Sequence, residues 1–261
     1  MISYLTPEIA NITGGKNLGR ETLTISNIIT DSRNSESTNG SMFVAIKGKQ
    51  HDSHCFVEEM YNCGIRCFLV EILPDICHDD AVYIQVNNTL TALQTLVANY
   101  RSGFSLPVIG ITGSNGKTIV KEWLYYLLSE QYSVIRSPKS YNSQIGVPLS
   151  VMLMQKSHNL AIFEAGISEP GEMENLQKII KPTIGLFTNI GNAHQEFFTS
   201  INQKIYEKSK LFDSSDVVIY SKDSIEIDNC IKDKSKVTFT WSFVNKKYAD
   251  INKIRKDVEG N

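Results

Sequence analysis

The sequence predicts an α/β protein. A small N-terminal α/β domain is expected over residues 1–104, and a second domain over 105–261 built on a mainly parallel sheet of the phosphate-loop kind. Three observations predict this. First, Val108, Ile109 and Ile111 form a short apolar run that breaks into Gly113-Ser114-Asn115-Gly116-Lys117-Thr118 and then into an amphipathic stretch. Strand, glycine-rich turn and helix is the context that a phosphate-binding loop requires. Second, apolar runs of strand length alternate with helical patterns from Pro107 onward, which implies β-α-β units and a parallel sheet covered on both faces. Third, the short apolar runs before Tyr100 are separated from that region by Arg101-Ser102-Gly103-Phe104-Ser105-Leu106-Pro107, a joint punctuated by Gly and Pro.

In order, Ser26–Thr30 and Met42–Ile46 read as strands, Cys55–Asn62 as a helix, and Arg66–Val70 and Ala81–Val86 as strands. Thr89–Tyr100 is predicted helical, with Leu90, Leu93, Leu96 and Val97 on one side. After the strand at 108–111, Ile119, Val120, Trp123, Leu124, Leu127 and Leu128 recur at helical offsets. Ser133–Arg136 and Asn159–Phe163 are expected strands, the second ending in Glu164. Ser140–Pro148 reads as a polar loop closed by a Gly/Pro turn. Pro170–Ile180 is an expected helix opened by Pro170, with Glu172 and Glu174 in its first turn where the helix dipole favours acids. Thr183–Thr188 reads as a strand, Ile201–Phe212 as a helix, and Asp216–Tyr220 and Val237–Trp241 as strands around a short helix.

Apolar residues make up 41% and charged residues 21% of the chain, the composition of a globular protein. A net charge of -2 provides no bulk attraction to nucleic acid or anionic membranes. No apolar run approaches the roughly 20 residues that span a bilayer. The first residues, Met-Ile-Ser-Tyr-Leu-Thr-Pro-Glu, lack the pattern of a signal peptide. Five cysteines, without a Cys-x-x-Cys pair, read as free thiols of a reducing compartment. The expectation is a cytoplasmic monomer that neither binds nucleic acid nor inserts into a membrane.

The candidate chemistry lies where strands give way to loops, the place where α/β sheets hold ligands. Glycines let backbone N–H groups close around a phosphate, and the following helix adds orphan N–H donors and its positive dipole end. Gly113, Ser114, Asn115, Gly116, Lys117 and Thr118 are thus the candidate ATP-binding residues, with Lys117 reaching the outer phosphates and the Thr118 hydroxyl on Mg²⁺. The spacing Gly110-x-x-Gly113-x-x-Gly116-Lys117-Thr118 departs from the usual loop, which wants glycine where Ile111 stands. Glu164, a lone acid after an apolar strand, needs a partner, either a basic side chain or a metal near the phosphates. His194 alone reads as a structural histidine more readily than as a ligand. Asp31-Ser32-Arg33 and the polar run from Lys47 to His54 read alone as solvated loops.

Gly110-Ile111-Thr112-Gly113-Ser114-Asn115-Gly116-Lys117-Thr118 resembles the ATP loop of the Mur ligases, which build the peptide of peptidoglycan. Asp31-Ser32-Arg33, Phe43-Val44-Ala45-Ile46-Lys47-Gly48, the Asn142-x-x-Ile145-Gly146-Val147-Pro148 element, Glu164-Ala165-Gly166 and Asn189-x-Gly191-x-Ala193-His194 follow in the order of that family. Within it the chain resembles the MurF type. Several consequences follow from the resemblance. The N-terminal domain would hold the uridine nucleotide through Ser32, Arg33 and Lys47, and Asn142 would lie near the bound sugar-peptide. Glu164 would bind a metal, and His194 would help to hold a second Mg²⁺. Lys208 would be a carbamylated ligand, with Lys204 and Lys210 as neighbouring alternatives. Lys117, His194 and Lys208 are then the catalytic set, and Thr118, Glu164, His194 and Lys208 the metal set. Ser53 stands where the family has glycine, Ser143 where it often has a second asparagine, and Ser209-Lys210 where it usually has Gly-Glu.

The reaction implied is ATP-dependent addition of D-alanyl-D-alanine to UDP-MurNAc-tripeptide through an acyl phosphate. Other Mur ligases and folylpolyglutamate-synthase-like ligases share the loop, and a nucleotide-binding piece without turnover is the alternative outside enzymes. Family members are longer. The chain is therefore expected to be an N-terminal piece with an incomplete central domain, inactive alone, without the third domain or the alanine racemase that some members carry.

Overall fold

Short apolar runs make the framework of the first unit in the computed structural model, which describes residues 3–33, 38–48, 51–191, 197–232, 234 and 237–242. The chain divides into residues 1–104 with 151–155, and residues 105–150 with 156–261. In chain order the first unit contains β1 (Tyr4–Leu5), α1 (Thr6–Thr13), β2 (Lys16–Leu18), β3 (Thr24–Ile25), β4 (Asn27–Ile29), β5 (Ser41–Val44), α2 (Val57–Asn62), β6 (Cys67–Val70), β7 (Val82–Gln85) and α3 (Thr89–Ser102). β4, β5, β6 and β7 run parallel, and β2 closes the β7 edge antiparallel. β5 and β6 are buried along their whole length, as strands covered on both faces must be. Phe43 pairs with Phe68, and both enter a core with Val57, Met60 and Tyr83. Asn88 caps α3 by accepting from Thr91 N at 2.8 Å.

Two differences from the sequence expectation have local causes. The segment expected as one helix from Cys55 begins instead as a 3-10 turn, Ser53–Phe56, capped by Asp52, and becomes α-helical at Val57. The elements β1, α1, β2 and β3 were not expected. α1 does carry terminal signals, Pro7 and Glu8 at its start and Gly14 in the left-handed conformation after its end. It is short, and β2 is exposed throughout, so neither shows a long apolar period.

The second unit contains β8 (Val108–Thr112), α4 (Lys117–Leu128), β9 (Val134–Arg136), α5 (Gly146–Val151), β10 (Leu160–Glu164), α6 (Glu172–Ile180), β11 (Ile184–Phe187), α7 (Ile201–Ser209), a 3-10 turn at Lys210–Phe212, β12 (Val217–Ser221), α8 (Ile225–Ile231) and β13 (Val237–Trp241). Its six strands lie in the order β13-β12-β11-β8-β10-β9, every neighbouring pair parallel. The fold class is thus α/β with a mainly parallel sheet. Val120, Leu124, Tyr125 and Leu128 of α4 pack on Ile109, Ile111, Leu160 and Ile162. Ile119, Trp123 and Leu127, which share the same apolar period, face outward.

Two further corrections concern turns. Ser140–Pro148 does not end as a loop, because Gly146 begins α5 and Ser143 Oγ accepts from Gly146 N at 3.1 Å. Pro148 lies in the first turn of that helix, where its missing N–H has no partner to lose. Pro170 does not open α6. Gly171 caps the helix at φ 87°, and Glu172 is its first residue.

Gly185 of β11 lies against the ring of the fully buried Phe212, which a Cβ on Gly185 would overlap. Gly185→Ala is expected to destabilise this unit by about 2 kcal/mol, the scale of core overpacking, read as a lower denaturant midpoint with an unchanged slope. An unaltered midpoint would refute this packing.

Candidate functional site

β8 lies between β10 and β11, so the carboxyl ends of three parallel strands converge. The chain leaves β8 toward β9 and leaves β11 toward β12, on opposite sides, and such a divergence opens a crevice for ligands. Gly113 adopts φ 137° and Gly116 φ 80°, conformations that L side chains rarely take. A Cβ on Gly113 would also strike the Thr188 hydroxyl. The loop is braced against the segment after β11. Ser114 N donates to Asn189 O at 2.8 Å and Asn115 N to Asn189 Oδ1 at 3.0 Å. Thr188 Oγ1 donates to Asn115 O at 2.7 Å. Ser114 Oγ accepts from Gly191 N at 3.0 Å. Gly116 is the N-cap of α4 and has no side chain, so it offers no side-chain cap to the orphan N–H groups of the first turn.

Lys117 lies across this loop, its Nζ donating to Gly113 O at 3.0 Å and Ser114 O at 3.3 Å. Burial lowers its pKa, with Glu164 opposing and Lys204 reinforcing. Thr118 Oγ1 donates to Glu164 Oε2 at 2.9 Å. Glu164 is wholly buried. Its other oxygen, Oε1, is a buried side-chain oxygen without a hydrogen bond, and lies 3.7 Å from the ammonium of Lys121. Of the two partners expected for this acid, a basic side chain is present: Lys121 lies within ion-pair range of Oε1. A carboxylate and a hydroxyl are hard oxygen donors that suit Mg²⁺, which completes its shell with water and phosphate oxygens. Among the described residues no three His, Cys, Asp or Glu side chains cluster.

Lys208 is only 3% exposed. Burial, then the charges of Lys117 and Lys204, bring its amine down to about 7, against the pull of Glu172. Lys204, also buried, donates to Gly191 O. Lys210 is different: its Nζ reaches Glu174 and Glu207, each at 2.8 Å, and these carboxylates raise its pKa. Asn142 lies beside the turn after β10, its carbonyl accepting from Gly166 N at 2.8 Å. His194 lies outside the described residues.

In the first unit, Ser32 and Arg33 follow β4 and Lys47 follows β5, adjacent parallel strands. Arg33 Nη2 bonds Asp31 at 2.7 Å and Nε bonds it at 2.9 Å, while the arginine side chain stays 86% exposed. These bonds hold the Asp31 carboxyl down to about 2. The backbone of Lys47 pairs antiparallel with that of Asp52, and Ser53 N donates to Ile46 O at 3.0 Å. Ser53 begins the 3-10 turn. Lys121 was not singled out from the sequence. Its distance of one helical turn from Lys117 is the only signal that could have marked it.

The lowered Lys208 pKa carries a stability consequence. Between about pH 7 and 10.5 the unfolded chain keeps a proton that the folded one has lost, so stability rises with pH in that window. Lys208→Met should remove a total rise of roughly 5 kcal/mol across it. Parallel slopes for wild type and variant, in denaturation measured from pH 7 to 10.5, would refute the assignment.

Comparison with known proteins gives the family of the chain. The Mur ligase middle domain family matches residues 111–261, more than half of the chain. The UDP-N-acetylmuramoyl-tripeptide–D-alanyl-D-alanine ligase of Borreliella burgdorferi is 35% identical over 185 residues, covering 67% of this chain and 39% of that protein. The crystal structure of MurF from Acinetobacter baumannii aligns with TM-score 0.81 at 28% identity, over 92% of this chain and 54% of that one. MurF ligase from Thermotoga maritima in complex with ADP aligns with TM-score 0.75 at 28% identity, over 86% and 51%. The chain thus spans about half, or less, of the length of these relatives. With the family domain matched across the phosphate loop, Glu164 and Lys208, the chain belongs to the Mur ligase family.

Proposed function

We propose that this chain supplies the ATP-binding and UDP-substrate-binding parts of a ligase that adds D-alanyl-D-alanine to UDP-MurNAc-tripeptide in peptidoglycan synthesis, in the cytoplasm and as a monomer. The observation that carries it is the Thr118–Glu164 pair beside the loop, with Glu164 Oε1 buried and without a hydrogen bond. The names of the relatives and the ADP in the Thermotoga structure support the same substrates. Residues 1–104 would be the uridine-nucleotide domain, with Ser32, Arg33 and Lys47 as contacts, and residues 105–261 the ATP domain. Five cysteines, all free, suit a reducing compartment.

In the proposed reaction a tripeptide carboxylate oxygen attacks the γ-phosphorus of ATP, and ADP leaves. The amine of D-alanyl-D-alanine then attacks the acyl carbon, loses a proton and expels phosphate. The work of the protein is to position and neutralise charge. Gly113–Thr118 would cradle the phosphates, and Lys117 would exchange its two loop carbonyls for phosphate oxygens. Asn142 would face the sugar-peptide. Mg²⁺, held by Thr118 and Glu164 and at a second position by His194 and Lys208, would supply charge neutralisation at the phosphoryl oxygens. Lys208 fits this role as a carbamate. A neutral amine attacks CO₂, releases one proton and becomes an anionic oxygen donor, and the lowered pKa of Lys208 raises the neutral fraction that this attack needs.

Calorimetry with Mg·ATP and with UDP-MurNAc-tripeptide tests the proposal. Wild-type chain should bind both. Lys117→Ala should weaken ATP by about 2 kcal/mol, near 30-fold, the loss of charge-assisted contacts. UDP-substrate affinity should stay unchanged. Equal ATP affinities in wild type and variant would overturn the role of Lys117, and no binding of either ligand by the wild type would overturn the function.

A further inference from the structure

Lys121 has no part in the loop contacts above, yet it is wholly buried. A lysine ammonium enters a protein interior only where its charge and its three donors are answered. Here Nζ donates to Ser137 O at 2.8 Å and to Lys139 O. Two carboxylates answer the charge, Glu122 Oε1 at 3.2 Å and Glu164 Oε1 at 3.7 Å. Both carbonyls belong to the segment that leads from β9 to Asn142. Lys139 sits in that segment at φ 48°, a conformation disfavoured for a residue with a Cβ and sustained by surrounding contacts. Ser137 reaches Glu164 by a second route, its Oγ accepting from Glu164 N at 3.3 Å.

The geometry therefore separates the two oxygens of Glu164. Oε2 takes the Thr118 hydroxyl, while Oε1 faces an ammonium too distant for a hydrogen bond and close enough for attraction. The carbonyls of Ser137 and Lys139 hold the ammonium at that distance. We infer that Lys121 is a positioning residue, which fixes the Glu164 carboxylate by charge, leaves Oε1 open to a divalent cation, and pins the Ser137–Asn142 segment beside it. This rests on the nucleotide function proposed above and adds a residue to it. A lysine that acted only as a rival cation would have the opposite sign, since removing it would tighten metal binding.

Fluorescent ATP analogue titrated into the full chain, with and without Mg²⁺, decides between the signs. For wild type, Mg²⁺ should strengthen binding. For Lys121→Met that gain should shrink at least tenfold, while metal-free affinity changes less than twofold. A gain that is retained or enlarged overturns the inference, and so does an equal loss with and without metal, which would mark a merely structural lysine. Should the variant fail to melt cooperatively, the wild type itself is informative. The ¹⁵Nζ resonance of Lys121 should shift on adding nucleotide with Mg²⁺ and stay in place with nucleotide alone, and no shift overturns the inference. A wild type that binds no nucleotide removes the proposed function and this inference with it.

Discussion

The parallel pairing of β8 with both β10 and β11 is the constraint on which the second unit depends. Register alone brings Glu164 opposite Ile111 and Phe187 opposite Thr112, so three strand ends open at one level. The glycines then permit what that proximity demands. Gly113 has Thr188 where a side chain would stand, and Gly185 has Phe212. Hydrogen bonds from Ser114, Asn115 and Thr188 turn the proximity into a braced loop.

Lysines dominate the field of this region. Lys117, Lys204 and Lys208 lie near enough for their charges to act on one another, and burial lowers the pKa of all three. Crowding of these amines disfavours their charged forms, and Lys208, the most deeply shifted of the three, carries the largest share of that cost. Lys210 stands outside this group because Glu174 and Glu207 hold it. Lys208 near the end of α7 and Lys210 at the start of the 3-10 turn that follows, two residues apart, thus have opposite electrostatic characters.

Much of the framework was legible in the sequence, for a physical reason. β5, β6, β8 and β10 are buried on both faces and appear as unbroken apolar runs. The phosphate loop was legible because its chemistry is local, with glycine, lysine and threonine adjacent in the chain. Glu164 was legible as an acid closing an apolar strand. What escaped depends on non-local surroundings. β2 lies exposed at an edge, and α5 begins at a glycine capped by Ser143, which reads as a turn. The apolar period of α4 did not reveal that Ile119, Trp123 and Leu127 would face outward while Lys121 was buried. Lys204, Lys208 and Lys210 could not be separated from sequence, because burial and the reach of Glu174 and Glu207 decide their character.

The bracing of the loop also has an order in time. During synthesis β8 and the glycine loop emerge first, and the partners of Ser114 and Asn115 emerge only when Asn189 does. A chain extended as far as α4 holds the whole phosphate-loop motif and none of those hydrogen bonds. Because both neighbours of the central strand come from later sequence, the sheet cannot zip from its beginning outward. It has to wait for β10 and β11, the non-local closure that slows parallel sheets. The glycine loop is therefore spelled out long before it can hold its shape, and its bracing marks the moment at which β8 has gained both of its neighbours.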